Sequence, residues 1–355
     1  MLGHGLANHF ISRWERSNRM QHLEFHQDHY HAGLTWGRML AEQDLYLLGP
    51  CPLSLDRRAP PVCPGLPAPL PVLFSRDLRG GRKESAHGQR CPVEDLYTVL
   101  LTLYAMPPSC HCSCFAYCGG GQILLGRNSD FLPALEENNK NVLYHLPNVT
   151  FMGHTTSFLQ MEDGLNQHGL AIGLTALAAR QPQSGLHGGL VLRLLLERCT
   201  GVEDALSLLS VLPQSSAHTL TLADTTGAIA LVECSPQRCA VHRPTGAPYL
   251  WATNVFCSPE MLPYALHPAD DWFSAQRYQT LETALGQLSP RLDVSQAQGL
   301  LAGQYGFLCQ YDRAQGKDTV WSVLYDLGQG RIYRAEGNPS RTPFALDPRF
   351  PFAVG

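Results

Sequence analysis

Residues 110–118 read CHCSCFAYC and residues 126–131 read GRNSDF, and these two segments decide the fold. Residues 113–118 form a short run of small and partly apolar side chains, which is typical of a strand. Three glycines follow at 119–121, and residues 122–126 supply a second strand. This pattern predicts a β-hairpin that is closed by a glycine turn.

The cysteines of the first strand allow three interpretations. Small cysteines pack well in buried strands, where a free thiol behaves as a small apolar group. Alternatively, the cluster of Cys110, His111, Cys112, Cys114 and Cys118 could bind zinc, but only Cys114 and Cys118 have the spacing of a ligand pair, and no second pair follows. The third interpretation is that one cysteine is a nucleophile.

A nucleophilic cysteine needs a base, because an unperturbed thiol with a pKa near 8.5 supplies only a few per cent of thiolate at pH 7. An α-amino group, with a pKa of about 7.7–8.0, can be that base when the cysteine is the first residue of a chain. A cysteine in mid-chain reaches that state only if the preceding peptide bond is cut. This requirement points to self-cleavage before the nucleophile.

The two segments resemble the cysteine-type N-terminal-nucleophile hydrolases, a superfamily that includes the penicillin acyl-coenzyme A acyltransferase group and the choloylglycine (bile-salt) hydrolases. The catalytic chain of that family opens with Cys-Ser or Cys-Thr, and a hairpin then leads to Gly-Arg/Gln-Asn-x-Asp-Phe/Trp. Here Cys112-Ser113 and residues 126–131 match both motifs. The distance in sequence to Asp130 suits the family better from Cys112 than from Cys110 or Cys114.

The resemblance extends along most of the chain. Five further segments are similar to motifs of the family, in the same order: residues 25–40 with Tyr30, Gly33 and Gly37, residues 163–171 (DGLNQHGLA), residues 222–233, residues 251–254 (WATN) and residues 274–278 (SAQRY). Their common order supports the assignment more strongly than any one of them does.

The resemblance also implies the roles of five side chains. Cys112 would attack the acyl carbon, and its own amino group would carry the proton. Asp130 would hold the resulting ammonium group by a charge-assisted hydrogen bond. Arg127 and Arg277 would lower the pKa of the thiol, and Asn254 would donate a hydrogen bond to the oxyanion.

The family implies an α+β fold, a four-layer αββα sandwich of two antiparallel sheets with helices outside. Self-cleavage between His111 and Cys112 would give an N-terminal prosegment, residues 1–111, and a catalytic domain, residues 112–355. The nine prolines within residues 49–92 indicate a linker in the prosegment. We expect the cleaved N-terminal fragment to remain bound, because it should share a core with the catalytic domain.

Local patterns predict several elements outside the motifs. Helices are predicted after Pro92, in two parts between Leu190 and Leu209 with a break at Thr200-Gly201, and from Trp272 to Leu288. Strands are predicted at these further ranges: 170–174, 219–222, 229–233, 239–242, 250–253, 319–325 and 331–335.

Composition limits the partners and the compartment. The net charge is −4 and only 16% of the residues are charged, so nothing attracts the chain to nucleic acid or to an anionic membrane. We see neither a signal peptide nor an apolar run of membrane-spanning length, and we expect a cytoplasmic protein in which most of the twelve cysteines are free thiols.

The predicted activity is hydrolysis of a linear, non-peptide amide, or N-acyl transfer, through a thioester on Cys112. Its partners would be a small-molecule amide or acyl donor and, for transfer, an acceptor amine, and no metal or organic cofactor is implied. Thr175 stands where bile-salt hydrolases place an asparagine, which argues against bile-salt hydrolysis.

Two other functions stay open at this point. His111 occupies a position where the acyltransferases usually carry a small residue, and the proline-rich prosegment is unusual for the family. Both features favour an uncleaved, inactive scaffold or binding protein with the same fold. The cysteine and histidine cluster leaves a metal-binding module as a third function.

Overall fold

Two β-sheets, stacked face to face, form the centre of the computed structural model. The structure describes residues 11–16, 20–42, 111–156, 159–266 and 270–352. The strands, in chain order, are β1 (Ile11–Arg16), β2 (Gln21–Phe25), β3 (His111–Gly119), β4 (Gln122–Phe131), β5 (Lys140–His145), β6 (Thr150–Thr155), β7 (Asp163–Asn166), β8 (Ala171–Ala179), β9 (Ala217–Ala223), β10 (Ile229–Cys234), β11 (Cys239–His242), β12 (Tyr249–Ala252), β13 (Ala265–Leu266), β14 (Asp318–Asp326), β15 (Arg331–Ala335) and β16 (Ala345–Leu346). The helices are α1 (His29–Glu42), α2 (Gly188–Arg198), α3 (Val202–Leu209), α4 (Ser274–Leu288) and α5 (Val294–Leu301). Short 3₁₀ segments lie at Pro133–Asn138, Leu262–Tyr264 and Arg313–Gln315.

The strands divide into a larger and a smaller sheet. In the larger sheet their order is β1-β2-β5-β6-β7-β8-β9-β10-β11, and β13 pairs with β8. In the smaller sheet it is β12-β3-β4-β14-β15-β16. Neighbouring strands are antiparallel, except that β2 and β5 run parallel. A parallel pair needs a long connection, and more than a hundred residues separate these two strands.

The predicted hairpin is confirmed as β3 and β4, and its turn fixes the register of the site. The turn residues Gly120–Gly121 have φ values of +56° and +81°. Two successive positive φ angles give the tight turn that matches the twist of the strands, and glycine adopts them without strain from a Cβ atom. As a result, His111 pairs with Asp130, and Cys112 pairs with Ser129.

Side chains alternate along β3 between two packing layers. Cys114 and Ala116 face the larger sheet, whereas Phe115 and Tyr117 face the helices that cover the smaller sheet. Cys112 follows the same two-residue period and therefore points between the sheets. Apolar side chains of both sheets fill that inner layer, among them Leu125, Leu143, Met152, Leu165, Ala171, Val323 and Tyr325.

Helices cover the outer face of each sheet. Helices α1, α2 and α3 share one core with the larger sheet, formed by residues such as Trp36, Leu192, Leu195, Val202, Ile172, Leu220 and Leu222. Helices α4 and α5 pack on the smaller sheet through residues such as Leu281, Leu285, Leu300, Leu301, Leu124 and Leu324. The predicted four-layer αββα fold is therefore confirmed. Among the described residues, no helix combines the length and apolar character needed to span a membrane.

The described part of the N-terminal segment is integral to the larger sheet. Strand β2 pairs with β5, and Phe25 stacks on Tyr144 with ring centroids 5.2 Å apart. The indole Nε1 of Trp36 donates a hydrogen bond to the Tyr144 hydroxyl at 2.7 Å. The division into residues 1–111 and 112–355 stays a prediction, and its boundary lies one residue inside β3.

The predicted helices that fall on described residues agree with the structure except at one start. The break at Thr200-Gly201 lies between α2 and α3. The helix predicted from Trp272 begins two residues later, at Ser274, because Trp272 and Phe273 have φ values of +50° and +60°, outside the right-handed helical region. The helix predicted after Pro92 and the linker at 49–92 lie outside the described residues.

Candidate active site

Three predicted side chains meet around Cys112, the second residue of β3. The backbone N–H of Cys112 donates to Oδ1 of Asn254 at 2.9 Å, and its carbonyl accepts from Nη1 of Arg277 at 2.6 Å. Its sulphur accepts from Nη2 of Arg127 at 2.8 Å. The residue is 1% exposed. A different side chain therefore fixes the nitrogen, the carbonyl oxygen and the sulphur of this one residue.

Arg127 projects from β4 into the space between the sheets. Its Nε donates to the carbonyl of Leu174 at 2.9 Å, and its Nη1 contacts Asp163 at 3.1 Å. Glu162 lies 3.6 Å from Nη2. Burial opposes the charge of Arg127, but Cys112, Asp163 and Glu162 outweigh it and raise its pKa, so the guanidinium stays protonated.

Asp163, at the start of β7, collects four buried donors. Its Oδ1 lies 2.6 Å from Nδ1 of His154 and accepts from the Tyr325 hydroxyl at 2.7 Å. Its Oδ2 accepts from Arg127 and from Nε1 of Trp321, both at 3.1 Å. Burial alone would raise the pKa of Asp163, but His154, Arg127 and these hydrogen bonds lower it, so the carboxylate stays ionised and anchors Arg127.

Asp130 lies on β4 opposite His111 and takes part in a second network. It accepts hydrogen bonds from the hydroxyls of Tyr311 at 2.9 Å and Thr319 at 2.7 Å. Nη1 of Arg277 lies 3.7 Å away. Burial raises the pKa of Asp130 to about 6, although Arg277 and the two hydroxyls act in the opposite direction.

Asn254 lies two residues after the end of β12 and faces Cys112 through its side-chain oxygen. Oδ1 also accepts from Nη2 of Arg277 at 2.8 Å, and Nδ2 donates to the carbonyl of Ala176 at 2.8 Å. The hydroxyl of Ser274 accepts from the Asn254 backbone N–H at 2.9 Å, which ties the end of β12 to the start of α4. In this intact chain the amide therefore presents an acceptor to Cys112.

The arginines affect the thiol in the predicted direction, but burial has the larger effect. Arg127 and Arg277 each favour the thiolate, whereas Glu162 and Asp130 disfavour it. Desolvation is the largest cause, and it raises the pKa of Cys112 to about 12. In the intact chain the thiol is therefore protonated at neutral pH.

Several residues of the site were not identified from the sequence. Asp163 lies in the segment 163–171 that was matched to the family, but it was given no role there. Nothing near Tyr311 or Thr319 in the sequence marks them as partners of Asp130. They reach it only because β14, and the loop before it, lie beside β4 in the sheet.

The structure separates the cysteines that were weighed as metal ligands. Cys114 and Cys118 lie four residues apart on β3, which at about 3.3 Å per residue separates them by roughly 13 Å, too far to bind one ion. Cys110 is outside the described residues. Within the described ranges, Glu24, His26 and His145 have atoms near enough to bind a metal together.

That second group has the geometry of a hydrogen-bonded cluster. The imidazoles of His26 and His145 stack at 4.0 Å with planes 7° apart. Each Nε2 lies within 3.1 Å of the same Glu24 oxygen, so both nitrogens point at this carboxylate.

Residues 118–341 match the family model described as acyl-coenzyme A:6-aminopenicillanic acid acyl-transferase, and this match covers more than half of the chain. The chain belongs to this family. The predicted resemblance to the penicillin acyl-coenzyme A acyltransferase group is thereby confirmed. Arg127, Asp130, Asn254 and Arg277 lie within the part that matches this acyl-transferase family, whereas Cys112 lies six residues before it.

Solved structures similar to this acyl-transferase family member include three enzymes. A mutant form of conjugated bile acid hydrolase from Clostridium perfringens is 12% identical, covers 69% of this chain and 99% of its own, and has a TM-score of 0.49. A Caenorhabditis elegans orthologue of N-acylethanolamine-hydrolyzing acid amidase is 16% identical, with coverages of 61% and 92% and a TM-score of 0.43. Penicillin V acylase from Agrobacterium tumefaciens is 15% identical, with coverages of 63% and 83% and a TM-score of 0.38. No curated protein matches the chain by sequence.

Proposed function

We propose that this protein is a cysteine N-terminal-nucleophile enzyme that cuts its own His111–Cys112 bond and then uses Cys112 to cleave amides or transfer acyl groups. One observation carries the proposal. Asn254, Arg277 and Arg127 hold the nitrogen, the carbonyl oxygen and the sulphur of Cys112 at 2.9, 2.6 and 2.8 Å. The backbone N–H and carbonyl of any buried residue need partners, but the thiol of a cysteine that merely filled the core would not need a guanidinium beside it.

The first reaction is an acyl shift within the chain. The Cys112 sulphur attacks the carbonyl carbon of His111, the C–N bond breaks, and the thiol proton passes to the Cys112 nitrogen. Water then hydrolyses the resulting thioester to a His111 carboxylate and a free thiol. The new α-amino group has an ordinary pKa of about 7.7–8.0, and it gives the buried thiol an adjacent base.

The second reaction uses the thiol and the amine together. The amine accepts the thiol proton, the sulphur attacks the acyl carbon of a substrate amide, and the proton then passes to the leaving amine. Asp130 pairs across the hairpin with His111, the residue before Cys112, and this position supports a role for its carboxylate in holding the Cys112 ammonium. Asn254 lies beside Cys112, which supports it as the oxyanion donor once its Nδ2 group turns toward the acyl oxygen.

The acceptor decides the outcome of the second half of the reaction. Water releases a carboxylic acid from the thioester, so the net reaction is hydrolysis of a linear amide. An acceptor amine instead forms a new amide, so the net reaction is N-acyl transfer. Membership of the acyl-transferase family supports an acyl donor that is a small molecule and an acceptor that is an amine or water.

The test is to trap the acyl group on the enzyme. We expect p-nitrophenyl butyrate to acylate the processed enzyme at a single site, Cys112, and hydroxylamine at neutral pH to remove the label as it does from thioesters. Cys112→Ser and Cys112→Ala variants should remain at full length and unlabelled, while Cys114→Ala should behave as the wild type. Acylation of another cysteine, or a label that hydroxylamine does not remove, would contradict the proposal.

The scaffold function gives a different set of results. An uncleaved binding protein would appear as one full-length band that the Cys112→Ala substitution leaves unchanged, and it would accept no acyl label. Cys112 is only 1% exposed, so a substrate carbonyl can reach its sulphur only after the surrounding residues rearrange. An uncleaved protein in which these residues stay in place would therefore not accept the acyl label.

A further inference from the structure

The residue before the proposed cleavage point has a ring partner of its own. His111 is buried, and its imidazole stacks on the indole of Trp272 with ring centroids 4.8 Å apart and planes 19° apart. Within the described residues, Nδ1 of His111 has no hydrogen-bond partner. Burial and the charge of Arg277 lower the pKa of His111 to about 3, so the ring stacks as neutral imidazole. Trp272 therefore contacts the acyl side of the scissile bond.

The backbone that carries Trp272 is strained. Trp272 and Phe273 have φ values of +50° and +60°, and they are the non-glycine residues with positive φ in the described ranges. Left-handed backbone is unfavourable for a residue with a side chain, and two bulky aromatic residues adopt it in succession. Such a conformation persists only where the surroundings fix it, and it occurs preferentially at functional sites.

Two residues of the site fix this turn. The carbonyl of Trp272 accepts from Nε of Arg277 at 3.0 Å and from the hydroxyl of Tyr311 at 3.3 Å. Arg277 is also the residue that holds the Cys112 carbonyl, and Tyr311 donates to Asp130. In this strained turn the Trp272 carbonyl thus bonds to residues that contact the site around Cys112, and the Trp272 indole stacks on His111.

These contacts hold the peptide bond from both sides. Arg277 and Asn254 fix the atoms of Cys112, and Trp272 fixes the ring of the preceding residue. We propose that Trp272 is a positioning residue for self-cleavage, which stacks on His111 and so keeps the scissile carbonyl within reach of the Cys112 sulphur. This inference rests on the proposed function. It also explains how the site accommodates a large ring where related acyltransferases carry a small residue.

A purely structural role for Trp272 makes a different prediction. If the indole only filled space, its loss would destabilise the fold, and the effect on cleavage would not depend on which side chain stands at position 111. If the indole acts through His111, the two substitutions must be coupled. A double-mutant cycle on the cleavage rate therefore separates the two roles.

The experiment follows self-cleavage of the full chain during a chase after cell-free synthesis, on a denaturing gel. We expect Trp272→Leu to slow cleavage at least tenfold and Trp272→Phe, which keeps a flat ring, to stay within about threefold of the wild type. His111→Ala should slow cleavage to a similar extent as Trp272→Leu. In the His111→Ala background, Trp272→Leu should then have no further effect.

Trp251→Leu is the matched control, because Trp251 packs with Tyr249 and Tyr278 on the same side of the smaller sheet. It should lower the thermal midpoint without slowing cleavage tenfold. Wild-type cleavage rates in Trp272→Leu, or an equal slowing by Trp272→Leu with and without His111, would overturn the role of Trp272. If the wild-type chain itself is never cut, the proposed function fails instead, so the two failures are distinguishable.

Discussion

Cys112 is held in a chemical state that opposes its own reaction. Burial raises the pKa of its thiol to about 12, and Arg127 at 2.8 Å offsets only part of that shift. In the intact chain the Cys112 thiol is therefore protonated. It must lose its proton before the sulphur can attack the His111 carbonyl, and this requirement limits the rate of self-cleavage. After cleavage the new α-amino group can accept the thiol proton, so this limit no longer applies. A nucleophile at the start of a chain therefore carries its own base.

The first prediction at this scale concerns the pH dependence of self-cleavage. Below the pKa of a group, the fraction in its deprotonated form rises tenfold for each pH unit. We therefore expect the cleavage rate of the full chain to rise about tenfold per unit from pH 6 to pH 9, with no inflection from His111, whose pKa is about 3. A rate that levels off near pH 7 would contradict this, because it would require a separate base.

The second prediction concerns Asp130 in the processed enzyme. Burial raises the pKa of its carboxyl to about 6, and a carboxyl loses its charge as the pH falls through its pKa. We expect kcat/KM to fall about tenfold per unit below the pKa of the α-amino group and more steeply below pH 6, and Asp130→Asn to lower kcat/KM by about 10²-fold or more and to remove the steeper part of the acid limb. Asp224→Asn is the control, because Asp224 is a buried aspartate that caps the start of α3 by accepting the Val202 N–H. An unchanged acid limb in Asp130→Asn would contradict the assigned role.

At the scale of elements, the site depends on how closely β8 approaches the β3–β4 hairpin. A Cβ atom added to Gly173 would lie 2.5 Å from Sγ of Cys114 and 3.4 Å from Cδ of Arg127. Both neighbours are fully buried, so neither has free space into which it could move. The absence of a side chain at Gly173 is what leaves room for the sulphur of Cys114, which lies on the same strand as Cys112.

This contact gives the third prediction. Gly173→Ala should lower the free energy of unfolding by about 1–3 kcal/mol through overpacking and slow self-cleavage by displacing Cys114, and with it the strand that carries Cys112. The double variant Gly173→Ala/Cys114→Ala removes the nearer clash and should recover most of both losses. Denaturant unfolding and the cleavage time course measure the two effects. No recovery in the double variant would show that the clash is not the cause.

The same scale shows which elements the sequence could predict. The β3–β4 hairpin and helices α2, α3 and α4 follow from local signals, namely the glycine turn and the helical spacing of apolar residues. Strands β5, β6 and β7 are buried on both faces, so they lack the alternation that marks a strand with one exposed face. Helix α5 has only eight residues, and its capping box at Asp293 and Gln296 was the one available signal.

The residues of the site divide in the same way. Cys112, Arg127 and Asp130 lie on one hairpin and could be identified from the match of its two segments to the family motifs. Asp163 and Tyr311 reach the site from β7 and from the loop before β14, and that placement depends on the order of strands in both sheets. The arginines were expected to lower the thiol pKa, whereas burial decides it, and burial is a property of the folded core.

At the scale of the whole molecule, the described parts of the two predicted fragments share one core. Strands β1 and β2 extend the larger sheet beside β5, and Phe25, Trp36 and Tyr144 form one aromatic cluster across the proposed boundary. Cleavage at His111 would cut one peptide bond and leave these contacts in place. The N-terminal piece would remain a structural part of the enzyme.

The fourth prediction follows from this shared core. After cleavage, the fragments should elute together in size-exclusion chromatography at neutral pH and separate only in denaturant. Trp36→Ala removes a buried ring and the hydrogen bond to Tyr144, so it should weaken the association by about 3–5 kcal/mol. Tyr30→Ala, at a 41% exposed position of the same helix, is the control and should have little effect. Fragments that separate without denaturant would contradict a common core.

The central claim is that the chain cuts itself between His111 and Cys112. The most direct test is to express the full chain, measure the masses of the purified polypeptides and determine the N-terminal sequence of each. The account predicts two polypeptides that remain associated, one ending at His111 and one beginning with Cys112 and carrying a free α-amino group. It also predicts that the Cys112→Ala protein keeps its full mass. A protein of full mass that hydrolyses amides, or a fragment that begins at a different residue, would contradict the account.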